Sequence, residues 1–283
     1  MHLGAAMFFT DYSMSPGELA VALEERGFDS VWSPEHSHIP VSRESAFPSG
    51  GELPKKYYDA MDPFVALMAA AATTKTLKVG TGICLVAQRD PIQTAKSVAS
   101  IDQLSAGRFL FGVGNGWNKD EMANHGTVFE TRAKLVRERI EAMTEIWTQS
   151  KPAYLGEFVN FDPMMTWPKP LQKPYPPILV GGAFPFGARR ALRYGDGWMP
   201  HRVRPNYANV RDKIPAYRQM VAESQRDPAS VPVTIWGAQE DADMLKRDRD
   251  EGVVRVIVSL DSAKSDVILP ELDRWAKLLR AVA

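Results

Sequence analysis

The sequence predicts an α/β fold, namely a (β/α)8 TIM barrel with a small insertion before its fifth strand. Short apolar runs alternate with helical segments about eight times, which is typical of a parallel sheet with helices packed outside it. The length of 283 residues suits such a barrel, which typically needs about 250. Two consecutive strands also end in glycine clusters, and ligands of these barrels sit over the carboxyl ends of the strands.

The predicted elements follow one another in a regular order. A helix is expected from Ser15 to Arg26, because Pro16 suits its first turn and Gly27 its end. Asp62 is the expected N-cap of an alanine-rich helix that ends near Thr74. The expected strands are Leu3–Phe9, Phe28–Ser33, Leu77–Gly82, Arg108–Val113, Ile178–Val180, Gly197–Met199, Val231–Trp236 and Val253–Leu260. The other expected helices are Pro91–Leu104, Thr131–Gln149, Gly187–Tyr194, Tyr207–Ser224, Glu240–Asp250 and Asp266–Val282.

Two segments between these elements are expected to have other structures. A polar loop rich in proline and glycine runs from Pro40 to Ala60. A small hairpin is expected at Ala153–Asp162, just before the fifth strand of the barrel. Because no stretch has the composition of a disordered linker, residues 1–283 are predicted to form a single barrel domain.

Composition excludes several classes of function. The chain has 34 basic and 34 acidic residues, so it has no basic field for nucleic acid. Its single cysteine, Cys84, cannot form an internal disulfide and suits a reducing compartment. The N-terminal segment lacks the features of a signal peptide, and the longest apolar run is too short to span a bilayer. We therefore expect a cytoplasmic protein that acts on a small molecule, without nucleic-acid or membrane partners.

Three segments together carry a resemblance to a known family. They read FDSVWSPEH, then VGTGICLVAQRDPIQTAKSVASIDQLSAGRFLFGVGNGWNKDEMANHG, then PPILVGGAFPFGARRALRYGDGWMP. In this order and spacing they resemble the luciferase-like monooxygenase family, particularly its branch that uses the deazaflavin coenzyme F420. The resemblance covers roughly residues 1–202. It implies a (β/α)8 barrel with an insertion before the fifth strand, and a homodimer formed through the helices near Asp62–Thr74 and Pro91–Leu104.

Glu35 and His36 directly follow the second strand, at the end of the barrel where ligands bind. A histidine there can exchange a proton near neutral pH, and the adjacent carboxylate can fix the ring or raise its basicity. Taken alone, His36 is more readily interpreted as a loop residue in a hydrogen bond. The resemblance implies that His36 faces the reactive edge of the cofactor ring.

The resemblance also implies which residues contact the cofactor. The bond between Gly82 and Ile83 would be a non-prolyl cis peptide behind the central ring. The loop after the fourth strand would lie against the ring and the ribityl chain, and paired glycines before a helix would hold the phosphate. The residues assigned to cofactor binding are Thr81, Gly82, Ile83, Gly114, Asn115, Gly116, Trp117, Val180, Gly181, Gly182, Ala183 and Phe184.

Other features concern the substrate. Sugar-phosphate dehydrogenases of the F420 branch carry a glutamate where this chain has Trp117, so we expect an apolar substrate and not a phosphorylated sugar. Tyr57 and Tyr58 are candidate substrate contacts or loop anchors. Arg202 and Arg204 would meet a polyanionic cofactor tail or form a solvated rim.

Alternative functions remain open at this point. FMN with oxygen would make the protein a monooxygenase on the same scaffold, and a cofactor-binding barrel without catalysis is a third interpretation. The loop after the fourth strand reads GxGxG, which fits a dinucleotide-binding fingerprint poorly. The HxH pair at His36 and His38 is typical of metal-dependent hydrolases. Such sites need further histidines and an aspartate on later strand ends, where the sequence offers only His201 and Asp261, so no metal is expected. A sugar-phosphate isomerase would also use paired glycines.

Overall fold

The computed structural model describes residues 1–204, 207 and 209–282 of the chain. Eight parallel strands form a closed barrel, as predicted. Around the barrel they follow the order β1, β2, β3, β4, β7, β8, β9 and β10, and β10 pairs with β1. Their bounds are β1 His2–Ala6, β2 Ser30–Ser33, β3 Lys78–Thr81, β4 Phe109–Val113, β7 Ile178–Gly181, β8 Gly197–Met199, β9 Val233–Trp236 and β10 Val253–Ser259. The two remaining strands, β5 Tyr154–Leu155 and β6 Asn160–Phe161, form the predicted hairpin before the fifth barrel strand.

The helices pack around the outside of the barrel. Their bounds are α1 Pro16–Glu25, α2 Pro63–Ala72, α3 Pro91–Leu104, α4 Lys119–Asn124, α5 Arg132–Thr148, α6 Phe186–Tyr194, α7 Ile214–Glu223, α8 Ala242–Asp250 and α9 Ser265–Val282. Local sequence explains where several of them begin. The carboxylate of Asp62 accepts hydrogen bonds from the backbone at the start of α2, and Asp90 does the same for α3. In both helices a proline follows the cap, where its missing N–H costs nothing.

Two helices differ from the prediction. Helix α4 lies in a segment for which no helix was predicted, between the glycine-rich loop and α5. Helix α7 begins at Ile214, after a short 3-10 turn at Arg211–Lys213, and not at Tyr207. The early part of that predicted helix includes residue 208, which lies outside the described residues.

The core has two layers of different character. Most apolar side chains lie between the strands and the surrounding helices. A smaller cluster, which includes Trp32, Leu110 and Trp236, fills the inside of the barrel. A Cβ on Gly80 would lie 2.5 Å from the ring of Trp32, so this glycine makes room for the fully buried indole. The filled interior leaves open space only above the strand ends.

Candidate active site

A cavity of about 420 Å³ lies over the carboxyl ends of the strands. Eleven of the fourteen predicted site residues line it, and the loops after β2, β3, β4 and β7 supply them. They are Glu35, His36, Gly82, Ile83, Gly114, Asn115, Gly116, Trp117, Gly181, Gly182 and Ala183. The topology therefore brings segments that are distant in sequence to one mouth.

Three predicted cofactor contacts do not reach this cavity. The side chain of Thr81 is fully buried and donates a hydrogen bond to the Gly112 carbonyl at 2.7 Å. Val180 belongs to the core between the sheet and the helices. The ring of Phe184 packs against Trp198, with 6.1 Å between the ring centroids. These three side chains support the walls of the site from behind.

His36 is held by a carboxylate that the sequence analysis did not identify. Its Nδ1 lies 2.8 Å from Oε2 of Glu121, which comes from α4 and is fully buried. The other oxygen of Glu121 accepts the backbone N–H of Ser37 at 3.1 Å. Because a carboxylate accepts hydrogen bonds, the neutral ring carries its hydrogen on Nδ1 and leaves Nε2 free. His36 therefore retains a nitrogen that can take up or release a proton.

The expected partner of His36, Glu35, has a different role. Its buried carboxylate accepts hydrogen bonds from Arg89 at 2.5 Å and from the backbone N–H of Leu85 at 2.6 Å. Burial raises the pKa of Glu35, and the Arg89 charge opposes that rise. Arg89 also contacts Asp62, the N-cap of α2. Glu35 thus ties the loop after β2 to the loop after β3, and Glu121 acts on His36 in its place.

The peptide bond between Gly82 and Ile83 is cis, which confirms the prediction for this junction. Gly82 and Gly114 also pack closely against side chains of the protein. A Cβ on Gly82 would lie 2.4 Å from the ring of Trp236, and one on Gly114 would lie 1.8 Å from Cδ1 of Ile83. These two glycines therefore make room for side chains of the protein that form the floor of the cavity.

Aromatic rings surround His36. The ring of Tyr57 lies 5.4 Å from it and that of Trp117 lies 5.6 Å from it, between ring centroids. Phe8 packs on Tyr57 at 4.4 Å. Tyr57 is thus a wall residue of the cavity, whereas Tyr58 is largely exposed and lies near Arg43. The wall beside the reactive nitrogen is mostly apolar.

Cationic side chains also line the cavity. Arg132 and Arg190 both line it, and a Cβ on Gly182 would lie 2.6 Å from Nη2 of Arg190. Burial and the charge of Arg190 lower the pKa of Arg132. Neither guanidinium pairs with a carboxylate among the described residues, and the Nε atom of each is buried without a hydrogen-bond partner. Sequence analysis missed both arginines, because they lie on α5 and α6, away from the strand ends.

A second histidine in the cavity has the opposite hydrogen arrangement. Nδ1 of His201 accepts the backbone N–H of Val203 at 3.2 Å, so the neutral ring carries its hydrogen on Nε2. Burial, assisted by the charge of Arg204, lowers the pKa of His201 to about 3. The ring stacks on Trp236, with 6.4 Å between the centroids. His201 is therefore a neutral donor at physiological pH.

Two expectations about charged residues also have outcomes. Arg204 lines the cavity, but Arg202 does not, because its Nη2 contacts both carboxylate oxygens of the buried Asp248 at 2.7 Å.

Among the residues that the structure describes, no group of three or more potential ligands is arranged to hold a metal ion. Among the same residues, no helix is long and apolar enough to cross a membrane.

Comparisons with known proteins identify relatives of the chain. An uncharacterised protein of Mycobacterium tuberculosis is 37% identical over 99% of both chains. An F420-dependent glucose-6-phosphate dehydrogenase of Amycolatopsis mediterranei is 31% identical over 77% of this chain and 62% of its own. An FMNH2-dependent dimethylsulfone monooxygenase of Pseudomonas putida is 36% identical over 45% of this chain and 36% of its own. The named relatives are thus oxidoreductases with two different cofactors.

Solved structures show the same fold. A monooxygenase from Streptomyces bottropensis superposes with a TM-score of 0.79 at 22% identity, and the match covers all of both chains. An F420-dependent secondary alcohol dehydrogenase superposes with a TM-score of 0.77 at 18% identity, covering 100% of this chain and 99% of the other. The family model described as luciferase-like monooxygenase matches residues 15–239. The chain therefore belongs to the luciferase-like monooxygenase family.

Proposed function

We propose that this protein is an F420-dependent oxidoreductase that transfers a hydride between the cofactor and a small organic substrate. The observation that carries the proposal is the buried His36–Glu121 pair, at 2.8 Å, at the wall of a cavity that Arg132 and Arg190 also line. The pair supplies a proton donor or acceptor, and the two arginines suit an anionic cofactor. An oxidoreductase is also what the named relatives have in common.

The residues present fit such a cofactor. Oδ1 of Asn115 lines the cavity and is buried without a hydrogen-bond partner, so it can accept a hydrogen bond from a polar ring edge. Arg132 and Arg190 would hold the phosphate together with the backbone of Gly182, whose φ of +129° favours glycine. When bound, F420 supplies a carbon centre that accepts or donates a hydride. Asn115, Arg132 and Arg190 each have a buried polar atom without a hydrogen-bond partner, which the cofactor would satisfy.

His36 would handle the proton that accompanies the hydride. Its free Nε2 would take a proton from a substrate hydroxyl during oxidation, or return one to a substrate oxygen during reduction. Glu121 would orient the ring and stabilise the imidazolium form. Trp117, Tyr57 and Phe8 would exclude water and contact an apolar substrate body. The nature of this wall supports a substrate other than a phosphorylated sugar.

A reduced-FMN monooxygenase is the second candidate, because the relative from Pseudomonas putida is FMNH2-dependent. Titration of the purified protein with F420 and with FMN separates the two, with fluorescence of Trp117 and Trp236 in the cavity as the readout. We expect micromolar binding of F420 and at least tenfold weaker binding of FMN. Micromolar binding of FMN without binding of F420 would make the reduced-FMN monooxygenase the first candidate.

Turnover needs a separate test. Reduced F420 is mixed anaerobically with a panel of enones, imines and quinones, and its oxidation is followed by absorbance. His36→Ala should slow the reaction of any active compound at least a hundredfold, whereas His2→Ala, on the exposed start of β1, should not. Cofactor binding without turnover across the panel would favour the non-catalytic barrel.

Three expectations of the sequence analysis stay predictions. They are the single domain over residues 1–283, the cytoplasmic location and the homodimer. Analytical ultracentrifugation of the purified chain measures the last of these directly. We expect twice the mass of the 31.5 kDa chain.

A further inference from the structure

The hydroxyl of Ser37 connects the buried His36–Glu121 pair to two histidines nearer the surface. Oγ of Ser37 lies 3.4 Å from Oε1 of Glu121, 2.7 Å from Nε2 of His125 and 2.9 Å from Nδ1 of His38. Glu121 is fully buried, whereas Ser37 and His125 are exposed. One hydroxyl therefore contacts two titratable rings and the carboxylate that holds His36.

The hydrogens around Ser37 can be counted. The side-chain amide of Asn124 donates to Nε2 of His38 at 2.9 Å, so neutral His38 carries its hydrogen on Nδ1 and donates it to Ser37. A serine hydroxyl has one hydrogen of its own to donate. That hydrogen can go to His125 or to Glu121, but not to both. We assign it to neutral His125, whose Nε2 is the nearer acceptor at 2.7 Å when the ring hydrogen is on Nδ1.

We propose that protonation of His125 turns the Ser37 hydroxyl from His125 to Glu121, which makes His125 a positioning residue for the His36–Glu121 pair. When His125 takes a proton from water, its Nε2 carries a hydrogen and can only donate to Ser37. The Ser37 hydrogen is then left with Glu121 as its acceptor. Glu121 would hold three hydrogen bonds, from His36 and from the N–H and O–H of Ser37, in place of two.

This added hydrogen bond changes what His36 experiences. A carboxylate whose charge is shared among more donors is a weaker partner for each of them. The hold on the His36 ring and the stabilisation of its charged form would both decrease. Acidification would thereby make His36 a weaker proton acceptor, through the hydroxyl of a residue that does not line the cavity.

The surroundings of His125 set the pH range of this change. Burial lowers the pKa of its ring below the ordinary value of 6.5, and the charges of His38, Arg89 and Arg139 act in the same direction. Glu121 alone among these neighbours opposes them. The ring is therefore neutral at pH 7 and becomes charged only in a more acidic solution.

Nuclear magnetic resonance of the full chain without added cofactor tests the proposal. The chain has five histidines, so 15N labelling of histidine gives a small set of ring signals that His→Gln variants assign. In the unmodified chain we expect the His36 signals to move at the pH at which His125 titrates. In Ser37→Ala this response should fall at least fivefold while His125 still titrates, whereas Ser37→Thr should retain it.

Two results would overturn the proposal. One is a full His36 response in Ser37→Ala, because the coupling would then act through space. The other is the absence of any response in the unmodified chain. Ser37→Gly repeats the test if the alanine variant does not fold. The significance of this coupling for turnover rests on the proposed function. The resonance measurement needs no cofactor, so a failure of F420 binding and a failure of the coupling between His125 and His36 are distinguishable.

Discussion

Glu121→Gln tests the contact on which the proposed chemistry depends. Both oxygens of Glu121 accept N–H donors, from the His36 ring at 2.8 Å and from the Ser37 backbone at 3.1 Å. A glutamine amide of the same shape has one oxygen and one NH2 group. In either orientation of the amide, its NH2 group faces one of these two N–H donors. If that group faces His36, the ring must move its hydrogen to Nε2, and the proton acceptor in the cavity is lost.

The expected magnitude follows from the charge that is removed. A unit charge about 4 Å from the imidazolium, at an effective dielectric constant of about 20, contributes on the order of 4 kcal/mol. Each 1.4 kcal/mol or so of barrier is about tenfold in rate. Part of this energy is offset in the resting state, so we expect proton-coupled turnover to fall about 10²- to 10³-fold.

The assay separates chemistry from binding. Oxidation of reduced F420 in a single turnover gives the rate, and tryptophan fluorescence gives the cofactor Kd. Glu121 does not line the cavity, so the Kd should stay within about twofold of its original value. Glu130→Gln is the matched control, because this carboxylate is largely exposed and pairs only with Lys119 among the described residues. A Glu121→Gln protein that folds and turns over within threefold of the original would refute the reasoning.

Three further predictions concern other parts of the cavity. Arg190→Met should weaken binding of F420 and of inorganic phosphate about 10- to 100-fold, as expected for a lost charged hydrogen bond. Arg193→Met is the matched control. Equal Kd values for the Arg190→Met protein and the original chain in calorimetry would contradict the anion site. Gly114→Ala places a Cβ 1.8 Å from Ile83, so cofactor binding should weaken at least tenfold. Adding Ile83→Ala should restore most of the affinity. A double variant that binds the cofactor as weakly as Gly114→Ala alone would refute this account. The pKa of His201 is depressed to about 3, so the unfolded chain binds more protons than the native one between about pH 6.5 and 3, and stability falls as the pH falls through this window. In urea unfolding at pH 7 and pH 4.5, His201→Asn should lose less stability on acidification than the original chain, and identical losses would count against the buried neutral ring.

The sequence was sufficient for the barrel because its signals are local. Alternating apolar runs define the strands, and a cap such as Asp62 defines where a helix begins. The hairpin expected at Ala153–Asp162, before the fifth strand, is likewise present as the pair of β5 and β6. The glycine clusters correctly marked the mouth of the barrel, although Gly82 and Gly114 accommodate Trp236 and Ile83 there.

The partner of His36 could not be predicted in the same way. Glu35 adjoins His36 in sequence, but successive residues after a strand point in different directions, and its carboxylate reaches Arg89. Glu121 lies 85 residues away on a six-residue helix. One signal was available, since Asn118 followed three residues later by Glu121 is typical of a helix start. It indicates a helix but says nothing of which face would meet the second strand.

The two histidines of the cavity, His36 and His201, differ in their ability to exchange a proton. Nδ1 of His36 donates a hydrogen bond to the buried carboxylate of Glu121, whereas burial and the charge of Arg204 lower the pKa of His201 to about 3. The backbone N–H of Val203 also occupies the only nitrogen through which neutral His201 could accept a proton. His201 can therefore donate a hydrogen bond to a substrate oxygen but cannot exchange a proton with it near neutral pH. If hydride transfer creates a charge on that oxygen, His36 can supply the proton and His201 a hydrogen bond, so the two histidines divide acid–base chemistry and hydrogen bonding between them.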